Sequence, residues 1–490
     1  MITLTLLPDG TVLQTGTSAS ETILGDTGIA GNPTQNDEIR AGAGDDRLSG
    51  GRGQNDLFGQ KGDDSFVLGQ SGNEFDRAFG GVGKDTFSII NAPGSVSNVH
   101  VINGGSDRGR TPEADSLSIS AFFGTGVSLA RGKIKVDSQV GSVDIARIRD
   151  IEIIRGTSLE DRLRATDTMI EIRGGGGNDR IWANDTKAGS YAGGIGNDIL
   201  TGRSQKDILF DGDLGLSGGR KAPNLFNDTD LLKGNGGSDT LFSYSGPDTL
   251  IGGKGNDTFY SIFGDATIRG GDGRDVVKFN YGSFVEQPLV DQSRTNRPQE
   301  QLAGLDINGG DGFDRIDFSA THVSTAGGST DLTKGVFINL GLGRGKELST
   351  GTDGRFIVRK FESVSGTDRD DRLIGSGVDN TIEGGAGDDV IRGKDGNDSL
   401  DGGSGNDTLT GGKGADEFLF DGGDKSDTIT DFQDGVDEIT LHVAGTKLTF
   451  ASLIITDTVD GALIRYAALD TVLLEGVSAS VLDGGDFNFV

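Results

Sequence analysis

Residues 384–419 read GGAGDDVIR GKDGNDSLD GGSGNDTLT GGKGADEFL, four nine-residue units without a gap. Each follows G-G-x-G-x-D-x-U-x, where U is a large apolar residue, and Lys394 is the one departure at position two. A short fixed period constrains the backbone more tightly than any single motif, because each unit has to stack on its neighbours. In Gly402–Thr410 the glycines permit a tight turn with positive φ. Thr408, Leu409 and Thr410 alternate polar and apolar, which suits a short half-buried strand. Turn-strand-turn-strand then closes one coil every eighteen residues, and the apolar residue points inward. Position eight of the block 366–419 is Leu373, Ile382, Ile391, Leu400, Leu409 and Phe418, a thin continuous core.

Position six of the same block is Asp371, Asn380, Asp389, Asp398, Asp407 and Asp416. Turns two units apart share an edge, so Asp389 stacks on Asp407 and Asp398 on Asp416, at the strand spacing of about 4.8 Å. Two carboxylates at that distance repel by roughly 1–3 kcal/mol at effective dielectrics of 80 to 20. A hard divalent cation relieves the repulsion, and calcium accepts six to eight oxygens from carboxylates and turn carbonyls. Magnesium, which demands a near-ideal octahedron and keeps its waters, fits less well. The plain alternative is that Gly-Asn-Asp turns occur in loops with solvated acids. Four in-register copies argue against it, since glycine spacing, acid spacing and an inward apolar residue coincide.

These units resemble the calcium-binding RTX (repeats-in-toxin) nonapeptides, whose family fold is a parallel β-roll. The fold class expected is therefore all-β, a parallel β-roll or β-helix solenoid in several calcium-bound blocks. The resemblance implies that position-six acids and turn carbonyls bind calcium, and it carries over only where the units match. In 366–419 the implied set is Asp371, Asp389, Asp398, Asp407 and Asp416 with Gly387, Gly396, Gly405 and Gly414. In 156–278 it is Asp161, Asp179, Asp198, Asp207, Asp230, Asp239, Asp248, Asp257 and Asp275, with Gly177, Gly196, Gly237, Gly246, Gly255 and Gly273. A looser block at 16–88 supplies Asp37, Asp46, Asp64 and Asp85 with Gly44, Gly62 and Gly83. A unit at 309–317, isolated in sequence, adds Gly312 and Asp314. Asn380 should weaken its site, Asn55 stands at position six with Asp56 displaced by one, and Ala266 leaves a gap.

Around these blocks the reading places an N-terminal strand cap at 1–15, strand-rich connecting segments at 89–155 and 279–365, and a C-terminal cap with secretion signal at 420–490. A polar insertion interrupts the second block at about 211–224, and Gln287–Leu302 reads as a mobile loop. A longer repeat also shows: RDIEIIRGT at 149–157 parallels RKFESVSGT at 359–367, an offset of 210 residues. The chain thus reads as tandem modules.

Only 33% of the 490 residues are hydrophobic, 85 are glycine, and the formal charge is −30. Such a composition suits a chain that is unfolded without metal and compact with it. No basic stripe exists, so nucleic acid is not an expected partner. Cysteine is absent and disulfides play no part. The N-terminus has no basic n-region, and no segment is apolar enough for membrane insertion. Asp427–Leu441 resembles the segment after the roll in serralysin-type proteases. The ending Asp486-Phe487-Asn488-Phe489-Val490, an acid followed mainly by apolar residues, resembles the signal read by a type I secretion apparatus. No HExxH zinc motif and no phosphate-binding loop are present. His100, His322 and His442 are far apart, and Gly215-Leu216-Ser217-Gly218-Gly219 lacks the context of a nucleophile elbow. The function expected is a secreted, non-enzymatic, extracellular or cell-surface calcium-binding solenoid of a surface layer, matrix or adhesion system. It would form a homo-oligomer or lattice, or associate with cell-surface polysaccharide. The alternative is a polysaccharide-active enzyme (lyase, epimerase or hydrolase) with its site in 89–155 or 318–365.

Overall fold

The computed structural model describes residues 3–6, 12–24, 36–51, 53–68, 76–90, 100–105, 114–119, 127–130, 133–138, 141–212, 228–243, 246–261, 266–279, 305–319, 335–348 and 355–490. The segment Gln287–Leu302, His322 and the 215–219 glycine-serine motif lie outside them. The chain divides into two compact units, Met1–Asp239 and Thr240–Val490. Among the described residues the one helical element is a 3-10 turn at Phe450–Ser452.

In the second unit the chain alternates between two parallel sheets. One holds Arg372–Ile374, Val390–Asp395, Thr408–Lys413 and Ser426–Ile429. The other holds Ser363–Ser365, Thr381–Ala386, Ser399–Ser404, Glu417–Asp421 and Glu438–His442. Ile391 lies opposite Leu409 and Ile382 opposite Leu400, so the repeat of the coil is two nonapeptides. The fold is a parallel β-roll. Leu373, Ile382, Ile391, Leu400, Leu409 and Phe418 are all 0% exposed, and together they form the inward row expected of position eight.

The strand-rich segments are parts of the roll. The unit at 309–317 is isolated only in sequence. Asp306–Asp311 pairs in parallel with Thr267–Asp272, and Arg315–Asp317 with Val276–Lys278. In the first unit His100–Gly105 continues the sheet of Asp37–Ala43, Asp56–Lys61 and Arg77–Val82. Ser116–Ile119 and Ile153–Arg155 continue the sheet of Thr22–Leu24, Arg47–Ser49, Ser65–Leu68 and Thr86–Ile89. A polar-apolar-polar triplet after an acid is enough to hold a strand in register, whatever the length of the preceding turn.

Each unit also carries an antiparallel excursion in one sheet. In the first unit Val127–Ala130, Lys133–Ser138 and Gly141–Arg149 form a meander. Its outer strands pair in parallel with Arg162–Arg164 and His100–Gly105. In the second unit Val336–Asn339, Arg344–Glu347 and Arg355–Arg359 do the same against Arg372–Ile374 and Asp306–Asp311. This shared topology is the structural form of the 210-residue repeat. At the start of the chain Thr3–Leu6 pairs antiparallel with Val12–Thr15, which joins Asp37–Ala43 in parallel.

Candidate metal centre

The turns between the sheets set the position-six acids in two rows. Their carboxylates do not merely face one another. Along a run, Oδ1 accepts the backbone N–H of the rung one coil upstream: Asp371 donates to Asp389 at 2.6 Å and Asp389 to Asp407 at 2.7 Å. On the other edge Asn380 donates to Asp398 at 2.8 Å and Asp398 to Asp416 at 2.9 Å. The first unit repeats the pattern from Asp46 to Asp64, from Asp64 to Asp85, and from Asp161 through Asp179 to Asp198 and Asp230. Asp257, Asp275 and Asp314 form a further run in the second unit.

One oxygen of these rungs is thereby satisfied, and in ten of the described rungs the other is not. Oδ2 is buried without a hydrogen-bond partner in Asp46, Asp64, Asp179, Asp198, Asp275, Asp314, Asp389, Asp398, Asp407 and Asp416. A buried carboxylate oxygen left unpaired is costly. The pKa shifts have the same cause. Burial pushes Asp389 up to about 9, against the N–H from Asp371, and the charges of Asp371 and Asp407 add to the rise. Burial likewise lifts Asp179 to about 9, Asp64 and Asp398 to about 7, and Asp407 to about 6.

Except in the unit of Asp46, which begins with Ala41, each of these oxygens lies against the first glycine of its own unit, where no Cβ fills the space. A Cβ built on Gly384 would lie within 3.0 Å of both Asp389 Oδ2 and the carbonyl oxygen of Gly402 on the next coil. Gly393 stands in the same relation to Asp398 and Gly411, and Gly174 to Asp179 and Gly193. Carboxylate and carbonyl oxygens therefore converge on one cradle, with no nitrogen or sulfur donor. This set fits calcium, whose charge would neutralise the paired acids of adjacent coils. The fourth-position glycines serve the turn itself: Gly387 and Gly396 have φ of 113° and 129°.

Four of the implied acids are differently placed. Thr157 and Thr367 donate their backbone N–H to Oδ2 of Asp161 and Asp371, both at 2.6 Å. Arg203 N–H takes Oδ2 of Asp207 at 3.0 Å, and the Ser243 hydroxyl takes Oδ2 of Asp248 at 2.7 Å. Protein donors stand there where other rungs keep an open oxygen. The two asparagines complete their rungs with their own amides. Asn55 Nδ2 donates to Asp76 Oδ1 at 2.9 Å, and Asn380 Nδ2 to the Glu362 carbonyl at 3.1 Å.

The sequence reading missed several rungs. Asp76 donates to His100 Nδ1 at 3.0 Å, so His100, fully buried, takes the place of an aspartate, and burial lowers its pKa to about 4. Asp85 donates to Asp115, and Asp115 to Glu152. In the second unit Asp314 donates to Glu362. Asp407 continues to Asp427 and Asp416 to Asp437. The signal they share is an acid two residues before a buried apolar residue: Asp76 before Ala78, Asp115 before Leu117, Glu152 before Ile154, Asp437 before Ile439. Position five was also missed. Its side chains form a second ladder running the opposite way, in which Asn397 donates its N–H to Asp379 at 2.7 Å and Asn406 donates to Asp388 at 2.9 Å.

A roll whose turns pair buried carboxylates with carbonyl oxygens is a metal-binding repeat protein. The RTX calcium-binding nonapeptide repeat matches residues 34–66, 171–186, 191–213, 226–261, 365–400 and 392–424, and through these stretches the chain belongs to the RTX repeat family. No curated protein matches the chain. Among solved structures, the AlgE6R3 subunit of the Azotobacter vinelandii mannuronan C5-epimerase is similar at 32% identity, over 24% of this chain and 77% of that one, with a TM-score of 0.21. The extracellular lipase LipA from Serratia marcescens is similar at 14% identity, over 63% of this chain and 45% of that one, with a TM-score of 0.22.

Proposed function

We propose that this chain is a secreted calcium-binding roll that folds on extracellular calcium and serves, without enzymatic activity, as a surface-layer, matrix or adhesion component. The observation that carries this reading is the set of buried, unpartnered Oδ2 atoms facing glycine cradles. Without cations these oxygens oppose the fold at neutral pH. With them, binding to the folded form alone stabilises it by mass action. Extracellular calcium modules typically bind at about 10⁻⁴–10⁻³ M, so scarce cytosolic calcium would leave the chain threadable for export. Proteins with these repeats are typically secreted, and among the described residues no helix is long and apolar enough to cross a membrane. The closing residues, read as a type I export signal, form the last strand, Phe487–Phe489, paired with Glu438–His442.

A surface in the first unit supports association with polysaccharide. Arg162 and Arg164 flank buried Leu163, and Arg180 and Trp182 flank buried Ile181 on the adjacent strand. On a chain of net charge −30, this cationic face with the single tryptophan is complementary to a carboxylated glycan. Far-ultraviolet dichroism during calcium titration tests the folding reading, and unchanged β-signal in excess chelator overturns it. Retention on an immobilised uronate polymer, compared with Arg180→Ala and Trp182→Ala, tests the glycan surface. Equal retention of all three would remove that part of the reading.

A further inference from the structure

The second unit carries a cationic face that the metal cradles do not use. Two rows of residues run in register across one sheet, from the antiparallel excursion into the repeats. One row is Arg355, Lys346, Phe337 and Arg372. The other, two residues along each strand, is Ile357, Arg344, Asn339, Ile374 and Arg392. Phe356, Ile338, Leu373 and Ile391, which alternate with these positions, are buried in the core, so the rows stand on the outer face. Arg344, Arg355, Arg372 and Arg392 are exposed, and Lys346 is half-buried. Other cations of this unit have carboxylate partners: Arg315 has Glu383, Arg359 has Asp306 and Lys360 has Asp311. Among the described residues Arg344, Lys346, Arg372 and Arg392 have none. Lys346 also lies directly opposite Arg355 in an antiparallel pair, where like charges work against the pairing. The chain has 75 acids against 45 lysines and arginines, so this gathering of cations is not a consequence of composition.

We propose that this face of the second unit is a separate binding surface for a carboxylated polysaccharide. The second row crosses five strands and spans about 19 Å, four strand spacings. An extended polymer with carboxylates on successive sugars meets cations along both rows, whereas a compact anion would reach only one or two of them. Arginine is suited to carboxylates, which it binds through two parallel hydrogen bonds. Phe337, in register between Lys346 and Arg372, offers apolar surface to the C–H face of a sugar ring. Charge of the bound polymer would also relieve the repulsion between Lys346 and Arg355. Arg372 follows Arg162 by 210 residues, so the two faces occupy corresponding places in the long repeat. The ligand class rests on the reading of the first-unit face, but the two faces share no residue.

The experiment measures binding of the full-length, calcium-loaded protein to immobilised hyaluronate, a carboxylated glycan that calcium does not gel, over a range of salt. It compares the native protein, the triple variant Arg344→Gln/Lys346→Gln/Arg372→Gln, and both again with Arg180→Ala/Trp182→Ala, which removes the first-unit face. The triple variant should bind roughly tenfold more weakly or worse, with a shallower salt dependence, and in the second background it should not bind. Its calcium-dependent dichroism should match the native protein, because the exchanged side chains lie on the outer face. Arg372→Gln alone, a single exposed exchange, should already lower binding several-fold. Native-like binding of the triple variant in both backgrounds overturns the proposal, as does equal binding of the native protein to neutral dextran. Stronger binding to phosphatidylserine vesicles than to hyaluronate, lost in the triple variant, would assign the face to a membrane surface and overturn the glycan. Equal retention of Arg180→Ala and Trp182→Ala would remove only the first-unit face, so the two readings fail separately.

Discussion

Asp389 donates its backbone N–H to the Asp407 carboxylate at 2.7 Å, across eighteen residues of chain. The rung is thus a hydrogen bond and a charge problem at once. The bond orients the carboxylate, and the orientation leaves Oδ2 stranded.

That division predicts the behaviour of Asp389→Asn. The amide can keep the acceptor for Asp371 N–H but cannot supply an anionic oxygen. The variant should bind fewer calcium ions and need a several-fold higher calcium concentration to fold, yet keep more β-structure than the native chain in chelator. Dichroism titrations with and without chelator check both halves.

Gly384→Ala tests the cradle without touching an acid. Its Cβ would occupy the space between Asp389 Oδ2 and the Gly402 carbonyl. Calcium stoichiometry should fall and the folding midpoint rise, as in Asp389→Asn. Native stoichiometry in this variant would show that the cradle is not where metal sits.

The pH dependence should change sign with calcium. Burial raises Asp389 to about 9, Asp179 to about 9 and Asp398 to about 7 in the metal-free fold. Unfolded aspartate titrates near 3.9. Raised folded values mean that their stabilising contribution is full below about pH 4 and is lost progressively as pH climbs from there through the folded values of about 7 and 9. In chelator, acidification from pH 8 to pH 4.5 should therefore increase β-content. In saturating calcium protons compete with metal, and the same acidification should destabilise the fold. Thermal melts at both pH values, with calcium and with chelator, decide it.

Leu409→Ala should cost about 2–5 kcal/mol, the usual range for a fully buried leucine. Leu409 is 0% exposed and packs in register between Ile391 and Ile429. Because stacked coils contact only their neighbours, the loss should appear as a lower melting temperature at saturating calcium with stoichiometry unchanged.

If the chain builds a layer, light scattering at millimolar calcium should show growth into large particles that reverses with chelator. A strict monomer at high protein concentration would exclude lateral assembly.

The roll was legible because its period repeats without error over 384–419, and the core row at position eight followed directly. What stayed hidden was structure with the same physics but irregular spacing. The intervals from Asn55 to Asp76 and from Asp64 to Asp85 are 21 residues, and from Asp85 to Asp115 they are 30. A turn can lengthen at modest entropic cost while the strand after it keeps its place. A search for glycine-rich nonapeptides therefore loses Asp115, whereas a search for an acid two residues before an apolar position keeps it. The second ladder was overlooked because Asp388 and Asn406 occupy a position treated as free in the repeat pattern. Glu152 and Glu362 could not be recognised as rungs, since one extra methylene moves them off the consensus while still reaching the Asp115 and Asp314 N–H groups.

The two ladders run in opposite senses, so a coil is not interchangeable end for end. A coil arriving on the upstream side brings a position-six amide to a buried acid already waiting, and a position-five acid to an exposed amide. One arriving on the downstream side must bring the buried position-six acid itself. Growth from the two directions therefore faces different barriers, and any head-to-tail junction between chains would inherit that arrow.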